Sequence, residues 1–388
     1  MNRRPEQFRR LAVLALCFGF IALPACHVDR AAEVSDSESR QVRCDIEKYY
    51  VTNLCEDELA YLDWAAAYEE YPRMEDLTQE NLQKVTREFQ DADRAAALFY
   101  QRSLLVPENR RFYEYLDRRE AELLENVPDY SNANVLLLMV PGMFYADNPE
   151  IGADGAVLRR LANELGLQSH LLEIEQTGTV ERNAEIICDY IHERDDVDGI
   201  IVASVSKGGG DFKKAVQMCG EQPDFDRVIG WYNIGGINRG SLLVNEIDGH
   251  WQYRWEAKYY FCLSGYNYDG FLSMRGGPEA PLNYEMDLPD HVLLINVVGV
   301  PTYRFVTERA KPFYLHLSQF GPNDGISLLS DVYIPGGITW VSWRNDHYFI
   351  WPISEQKMQA FMTYIVEQQM PVVRRNAARR LAASAGAG

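Results

Sequence analysis

The sequence predicts an α/β fold for most of the 388-residue chain. From about residue 131 onward, short apolar strand patterns alternate with amphipathic helical patterns, and this alternation is typical of α/β proteins. The run 134–140 is almost continuously apolar, as a strand buried on both faces of a parallel sheet must be. Between residues 45 and 127 the patterns are helical instead. We therefore divide the chain into a helical extension, 44–130, and an α/β domain, 131–370.

Each predicted helix or strand follows from a local pattern in the sequence. Six apolar residues from Leu82 to Phe99 recur at spacings of three and four, which predicts one helix with a single apolar face. Pro107 interrupts this pattern, and a second helix leads toward Pro128. We interpret these helices as a cover packed on the α/β domain, and a partner-binding module is the alternative. The later patterns predict helices over 156–165 and 180–194, and strands over 169–174, 199–203, 228–234, 292–300 and 337–343.

The segment 204–210 joins a predicted strand to a predicted helix. A serine on such a tight turn has an exposed hydroxyl, and the next backbone N–H is free to stabilise an oxyanion. The turn needs small residues two positions before and after the nucleophile, and Ser204 and Gly208 occupy those positions around Ser206. A plain glycine-rich connection and a phosphate-binding loop are the alternatives, but the spacing of a phosphate-binding loop is absent. The pattern predicts Ser206 as a nucleophile.

A serine nucleophile needs a histidine to accept its proton and a carboxylate to orient that histidine. Among the histidines after Ser206, only His347 follows the turn that contains Asp324, and it comes directly after the last predicted strand. A surface-loop histidine and a turn-forming aspartate are the alternatives for these two residues. Asp331 and Asp346 are rival acids, although Asp346 is adjacent to the histidine and should point away from it. The order of residues favours a Ser206, Asp324, His347 triad.

A second oxyanion donor should lie in the loop after an earlier strand. The strand 134–140 ends in Pro141 and Gly142, and glycine lets the backbone approach a ligand closely. The backbone N–H groups of Met143 and Lys207 are therefore the candidates for the oxyanion hole. An ordinary strand-end turn is the alternative.

These residues resemble the α/β-hydrolase superfamily, and within it the serine lipases and esterases. The resemblance covers about residues 131–370 and departs from the common pattern at Ser204, where glycine is usual. The oxyanion loop also lacks a His-Gly pair. The resemblance implies a mostly parallel sheet flanked by helices, a catalytic triad, and hydrolysis of a carboxylic ester, thioester or amide without a metal or organic cofactor. The motifs that carry it are 141–143, 204–209, 235–241, 323–325 and 346–347.

In the same superfamily, insertions after the strand that follows the nucleophile commonly form a cap over the active site. Here the insertion 242–289 is rich in aromatic residues, which suit an apolar acyl chain or an aromatic ester. An aromatic mini-core that holds the cap together is the alternative. The candidates for substrate binding are Trp251, Trp255, Tyr259 and Tyr260.

The N-terminus predicts export. Four arginines precede a short apolar run, 11–23, which is the pattern of a signal peptide over residues 1–25. The residues before Cys26 resemble the bacterial lipobox, so this cysteine is expected to carry lipid, followed by a flexible tether over 26–43. This predicts a lipid-anchored protein of the cell envelope on the periplasmic side, with His27 favouring the outer membrane. Because Pro24 is unusual there, ordinary secretion and an uncleaved anchor are the alternatives.

The net charge and the cysteine content indicate which ligands and which disulfides the protein can have. The formal net charge of −19 opposes nucleic-acid binding. An oxidising compartment permits disulfides, and Cys44 and Cys55 are close enough in sequence to pair. No Cys/His spacing suggests a metal site. The last residues, 371–388, predict a disordered basic tail.

Three functions remain open. The first is hydrolysis of esters of moderately apolar or lipid-like small molecules through an acyl-enzyme. The second is an amidase or peptidase that uses the same triad. The third is a non-catalytic binding lipoprotein with a hydrolase fold.

Overall fold

The computed structural model describes residues 46–47, 50–51 and 54–386. A short antiparallel pair, β1 (Ile46–Glu47) and β2 (Tyr50–Val51), comes first. The centre is a sheet of six parallel strands in the order β4-β3-β5-β6-β7-β8. These strands are β3 (Val135–Val140), β4 (Gln168–Leu171), β5 (Gly199–Val205), β6 (Val228–Ile234), β7 (Leu293–Val300) and β8 (Ile338–Trp343). The α/β architecture predicted from the sequence is confirmed.

Helices lie before, between and after these strands. Those that precede the sheet are α1 (Glu56–Ala67), α2 (Gln79–Phe89), α3 (Ala92–Leu105) and α4 (Pro107–Glu125). Those that follow are α5 (Ala156–Glu164), α6 (Val180–Glu193), α7 (Lys207–Cys219), α8 (Leu242–Gly249), α9 (Trp251–Ser264), α10 (Tyr268–Leu272), α11 (Lys311–Leu317), α12 (Leu329–Val332) and α13 (Glu355–Gly386). Helices α8 to α10 all fall within the aromatic insertion.

Both faces of the sheet are covered, which explains the continuous apolar strands. Every residue of β3 is buried. On one face α4, α5 and α13 contribute to a core that includes Phe112, Leu161 and Phe361. On the other face α6 and α7 pack through Ile187 and Phe212. This arrangement holds the carboxyl ends of the strands at one edge, where ligand sites form in α/β sheets.

The N-terminal helices pack on the carboxyl-terminal halves of β7 and β8, and their apolar residues share a core with Val300 and Val341. The prediction of one continuous helix from Leu82 to Phe99 was wrong, because the chain breaks between α2 and α3. Gln90 adopts a left-handed conformation with φ of 52°, and the side chain of Asp91 caps the next helix. The apolar spacing continues across the break, so periodicity alone could not reveal it.

The prediction of a disordered tail was wrong for residues 371–386, which continue α13. Val373 is buried against the sheet. The Asn376 amide donates to the carbonyl oxygens of Asp198 and Asp226, and Arg379 and Arg380 form salt bridges with the same two aspartates. The basic residues therefore dock the helix on acidic loops at the amino ends of β5 and β6, opposite the carboxyl ends of the strands.

One disulfide was missed by the sequence reasoning. Cys188 and Cys219 are bonded and join α6 to α7 across 31 residues. Cys55 is also disulfide-bonded, but its predicted partner Cys44 lies outside the described residues, as do Cys26, the signal peptide and the tether. Among the described cysteines, Cys262 is free and exposed. No helix in the part of the chain that the structure describes has the length and apolar character needed to cross a bilayer.

Candidate active site

Ser206 occupies the turn between β5 and α7 in a strained conformation. Its φ is 53° and its ψ is −121°, a combination that non-glycine residues rarely adopt. The surrounding backbone holds the turn: the Ser206 N–H donates to Ile234, and its carbonyl accepts from Gly209 and Ile237. The strain is thus supported by neighbouring strands and loops, and the side chain projects from a fixed position at the sheet edge.

Close packing explains the small residues around this turn. A Cβ atom at Gly208 would lie 2.5 Å from the carbonyl oxygen of Val140, so only glycine fits. Ser204 replaces the usual glycine because its buried hydroxyl has partners. It accepts a hydrogen bond of 2.8 Å from the indole of Trp231 and donates one of 3.5 Å to Asn233. The departure from the common motif therefore has a local structural cause.

Ser206, His347 and Asp324 form one chain of hydrogen bonds. His347 Nε2 lies 2.9 Å from Ser206 Oγ, and Nδ1 lies 2.8 Å from Asp324 Oδ2. An ionised carboxylate can only accept, so Nδ1 carries a proton, and in the neutral ring Nε2 accepts from the serine hydroxyl. The structure thus brings together all three residues that the chain order favoured.

Asp324 is buried, and its position is fixed by the backbone. Its Oδ1 accepts from the N–H groups of Ile326 and Ser327, which leaves Oδ2 for the histidine. The carbonyl oxygen of Asp324 also accepts from the His347 N–H at 2.9 Å. The aspartate therefore contacts the histidine through both its side chain and its backbone.

The two rival acids lie elsewhere. Asp346 accepts from the backbone N–H groups of Thr307 and Tyr348, and so it stabilises the loop. Asp331 lies on α12, where its carboxylate accepts from Ser330. Burial raises the pKa of Asp331 to about 7, although the positive charges of Arg239 and Lys213 oppose that rise. Neither carboxylate is hydrogen-bonded to the histidine.

The pKa of His347 is raised above the usual value of 6.5. Burial by itself lowers the pKa of this imidazole, because the charged ring loses its solvation. The negative charge of Asp324 and its hydrogen bond raise the pKa by more, with a further contribution from Asp346. The site therefore stabilises the imidazolium that forms when the histidine accepts a proton.

Two backbone amides lie beside Ser206. Gly142 contacts the serine so closely that a Cβ there would lie 3.3 Å from the serine Cβ, which brings the following residue, Met143, next to the site. Phe144 then turns the loop with φ of 62°. Lys207 is the first residue of α7, where helix N–H groups are unpaired and the helix dipole is positive. Among the described residues, the N–H groups of Met143 and Lys207 form no backbone hydrogen bond.

The side chain of Lys207 has a different role from its amide. Its ammonium lies 2.6 and 2.8 Å from the two carboxylate oxygens of Asp211, and both side chains are buried. Asn183 donates to the same carboxylate at 2.8 Å. Burial raises the pKa of Asp211 and the lysine charge counteracts this. The pair ties α7 to α6, and the paired ammonium argues against a phosphate-binding loop.

The four predicted aromatic residues lie on α9 of the cap. Trp251, Trp255 and Tyr259 are 70%, 66% and 55% exposed, and the last two rings stack at 5.5 Å. Tyr260 is half-buried against Phe261. Within the described residues, no hydrogen bond or ring contact joins Trp251, Trp255 or Tyr259 to Ser206, Asp324 or His347. Their role in substrate binding stays a prediction.

A different apolar cluster lies next to the triad, and the sequence reasoning did not find it. It combines Met143, which follows Gly142, with Ile237 after β6, Met274 of the aromatic insertion and Ile326 beside Asp324. The Ile237 N–H donates to the carbonyl oxygen of Ser206, which places this member of the cluster next to the serine. Since its members come from four distant segments, no local pattern could have indicated it.

Other parts of the described structure are weaker candidates for a functional site. Within the described residues, no group of three or more His, Cys, Asp or Glu side chains could hold a metal ion. A surface groove of about 520 Å³ lies at the far end of α7, next to Met218 and Tyr284. It is lined by residues remote from Ser206 in the fold.

Comparison with solved structures supports the fold. A metagenomic carboxyl esterase is similar over 66% of this chain and 91% of its own, with 19% identity and a TM-score of 0.53. A lipase from Bacillus licheniformis in its mature form is similar over 63% and 94%, with 17% identity and a TM-score of 0.45. A carboxylesterase from Bacillus subtilis is similar over 67% and 99%, with 13% identity and a TM-score of 0.33.

No protein-family model and no curated protein sequence matches the chain. The first of the three structures, together with the six-stranded parallel sheet, shows that this protein has the α/β-hydrolase fold, similar in structure to that carboxyl esterase. This confirms the fold class that the resemblance implied.

Proposed function

We propose that this protein is a serine hydrolase that cleaves carboxylic esters. The observation that carries the proposal is the continuous hydrogen-bonded chain from Ser206 through His347 to Asp324. The proposed nucleophile, base and orienting acid are within hydrogen-bond distance of one another, and the serine is held on a strained turn.

In the proposed cycle, the Ser206 oxygen attacks the ester carbonyl while His347 Nε2 accepts the hydroxyl proton. The N–H groups of Met143 and Lys207 donate to the resulting oxyanion. Collapse of the tetrahedral intermediate releases the alcohol, which takes the proton from His347, and leaves an acyl-enzyme. Water then attacks the acyl group while His347 accepts its proton. The bond between the acyl carbon and Ser206 Oγ breaks, Oγ takes the proton back from His347, and the carboxylic acid is released.

Two observations favour an ester of a moderately apolar acid. The first similar structure is that of a carboxyl esterase. The apolar cluster around Met143 and Ile237 adjoins the nucleophile, where an acyl chain would lie. Amidases and peptidases use the same triad, and matched panels of esters and amides with one acyl group would separate the two activities.

The direct test of the proposal is labelling with a fluorophosphonate probe, followed by peptide mass spectrometry. We expect the probe on the peptide that contains Ser206, because only an activated serine reacts rapidly with phosphonyl fluorides. Labelling should be lost in His347→Ala. A folded protein that stays unlabelled, or that carries the probe on another serine, would contradict the proposal.

The pH dependence of turnover follows from the raised pKa of His347. The base must be neutral, so kcat/KM should rise with pH along a limb whose midpoint lies above 6.5. Rates with a p-nitrophenyl ester between pH 5 and pH 9 would give this midpoint. A limb with its midpoint below 6.5 would mean that Asp324 does not stabilise the imidazolium.

We also propose that the protein is exported and anchored to the cell envelope through Cys26. The lipobox-like sequence motivates this, and the Cys188–Cys219 disulfide supports an oxidising compartment. The mass of the N-terminal peptide from the native host would decide it. An unmodified Cys26 would contradict the anchor.

A further inference from the structure

A buried glutamate on α1 reaches the loop that carries His347. Glu58 is 1% exposed. Its Oε1 accepts from the Trp343 indole at 2.6 Å and from Arg344 Nε at 2.7 Å. Its Oε2 accepts from a second guanidinium nitrogen of Arg344 at 2.6 Å and from the backbone N–H of Cys55 at 2.8 Å. Both carboxylate oxygens are therefore occupied by strong donors.

Arg344, which pairs with Glu58, is the first residue of the loop that follows β8 and carries His347. Arg344 adopts φ of 73°, a conformation that costs a non-glycine residue free energy and persists only where its surroundings enforce it. Its N–H donates to Val300, and its guanidinium lies 5.0 Å from the ring of Phe305. His347 follows three residues later, so the direction of the chain at Arg344 decides where the imidazole lies.

A second N-terminal helix reaches the loop that carries Asp324. Asp93 of α3 accepts from the Tyr303 N–H and, at 2.5 Å, from the hydroxyl of Tyr314. The carbonyl oxygen of Tyr314 accepts from the side chain of Asn323, which immediately precedes Asp324. The N-terminal helices thus hold one end of the loop that carries His347 and one end of the loop that carries Asp324.

We propose that α1 and α3 are positioning elements of the active site, with Glu58 the positioning residue for His347. This inference rests on the proposed function. Glu58 contacts neither Ser206 nor His347 and acts through Arg344. A plain structural contact would lower only stability, whereas a positioning contact also alters the geometry between His347 and its two partners.

The test is Glu58→Gln in the full chain. Glutamine keeps the shape but loses the charge that pairs with Arg344. Because displacement of a catalytic group by about 1 Å can cost about a hundredfold in rate, we expect kcat to fall about ten- to a hundredfold with KM nearly unchanged. The acid limb of kcat/KM should move to lower pH, since a looser contact with Asp324 no longer raises the pKa of His347 as far. Rates should be measured with a p-nitrophenyl ester well below the melting temperature.

Glu56→Gln is the matched control, because Glu56 lies on the same helix and is exposed. It should retain the kcat and the pH profile of the parent. A folded Glu58→Gln protein with the parent's kcat, pH profile and fluorophosphonate labelling rate would overturn the inference. If Glu58→Gln does not fold, Arg344→Lys takes its place, since lysine keeps the charge but cannot pair through two nitrogens. For Arg344→Lys we expect the same fall in kcat and the same shift of the acid limb, and the same parent-like result would overturn the inference. An unlabelled parent protein would instead contradict the proposed function.

Discussion

Replacing Ser206 with alanine is expected to lower kcat for ester hydrolysis by up to about a millionfold, because no other group can form the acyl-enzyme. The fold should survive. The side chain loses one hydrogen bond, that with His347, which costs about 1 kcal/mol. Steady-state rates together with thermal unfolding would show both effects.

Ser204→Ala is the informative comparison for this change, since it removes a hydroxyl only two residues away. That hydroxyl is buried and accepts from the Trp231 indole, so its loss should cost about 1–3 kcal/mol of stability while hydrolysis continues. Ser206→Ala should therefore lose turnover and keep most of its stability, whereas Ser204→Ala should lose stability and keep its turnover. Turnover in Ser206→Ala at the parent's rate would exclude the acyl-enzyme mechanism.

The second large effect is expected for Asp324→Asn, with kcat about ten-thousandfold lower. An asparagine can offer its NH₂ group to Nδ1, which favours the ring tautomer with the proton on Nε2. That tautomer cannot accept the proton of Ser206. Rates with a p-nitrophenyl ester and the labelling rate of the serine should fall together.

Asp331→Asn serves as the comparison for the acid. Asp331 is buried but lies on α12 without a bond to the histidine, so the change should leave kcat within a few-fold of the parent. Loss of activity in Asp331→Asn with retention in Asp324→Asn would reassign the acid. Asp346 is a poorer comparison, because it holds the loop through Thr307.

The strands and the serine turn could be predicted because their signals are local. A strand such as β3 is apolar at every position, and the turn at Ser206 requires small residues at fixed offsets. The order of Ser206, Asp324 and His347 could be anticipated from the resemblance to α/β-hydrolases, in which nucleophile, acid and base follow in that order along the chain.

The remaining features depend on contacts between distant segments. The break at Gln90 lies inside an uninterrupted apolar pattern, and the tail is helical because Arg379 and Arg380 find aspartates at the sheet edge. The apolar cluster at Met143 and the pairing of Glu58 with Arg344 each join residues that no local pattern relates. Tertiary packing decides such features.

The contact between Glu58 and Arg344 spans 286 residues, and this separation bears on how the protein is synthesised. Helix α1 leaves the ribosome long before its partner Arg344 is synthesised. Closing so long a loop is among the slow, late events of folding. A nascent chain that already contains Ser206 therefore lacks both His347 and the contact that orients it. We therefore expect the proposed hydrolase site to form late in folding, only after the segment that carries Arg344 and His347 has been synthesised.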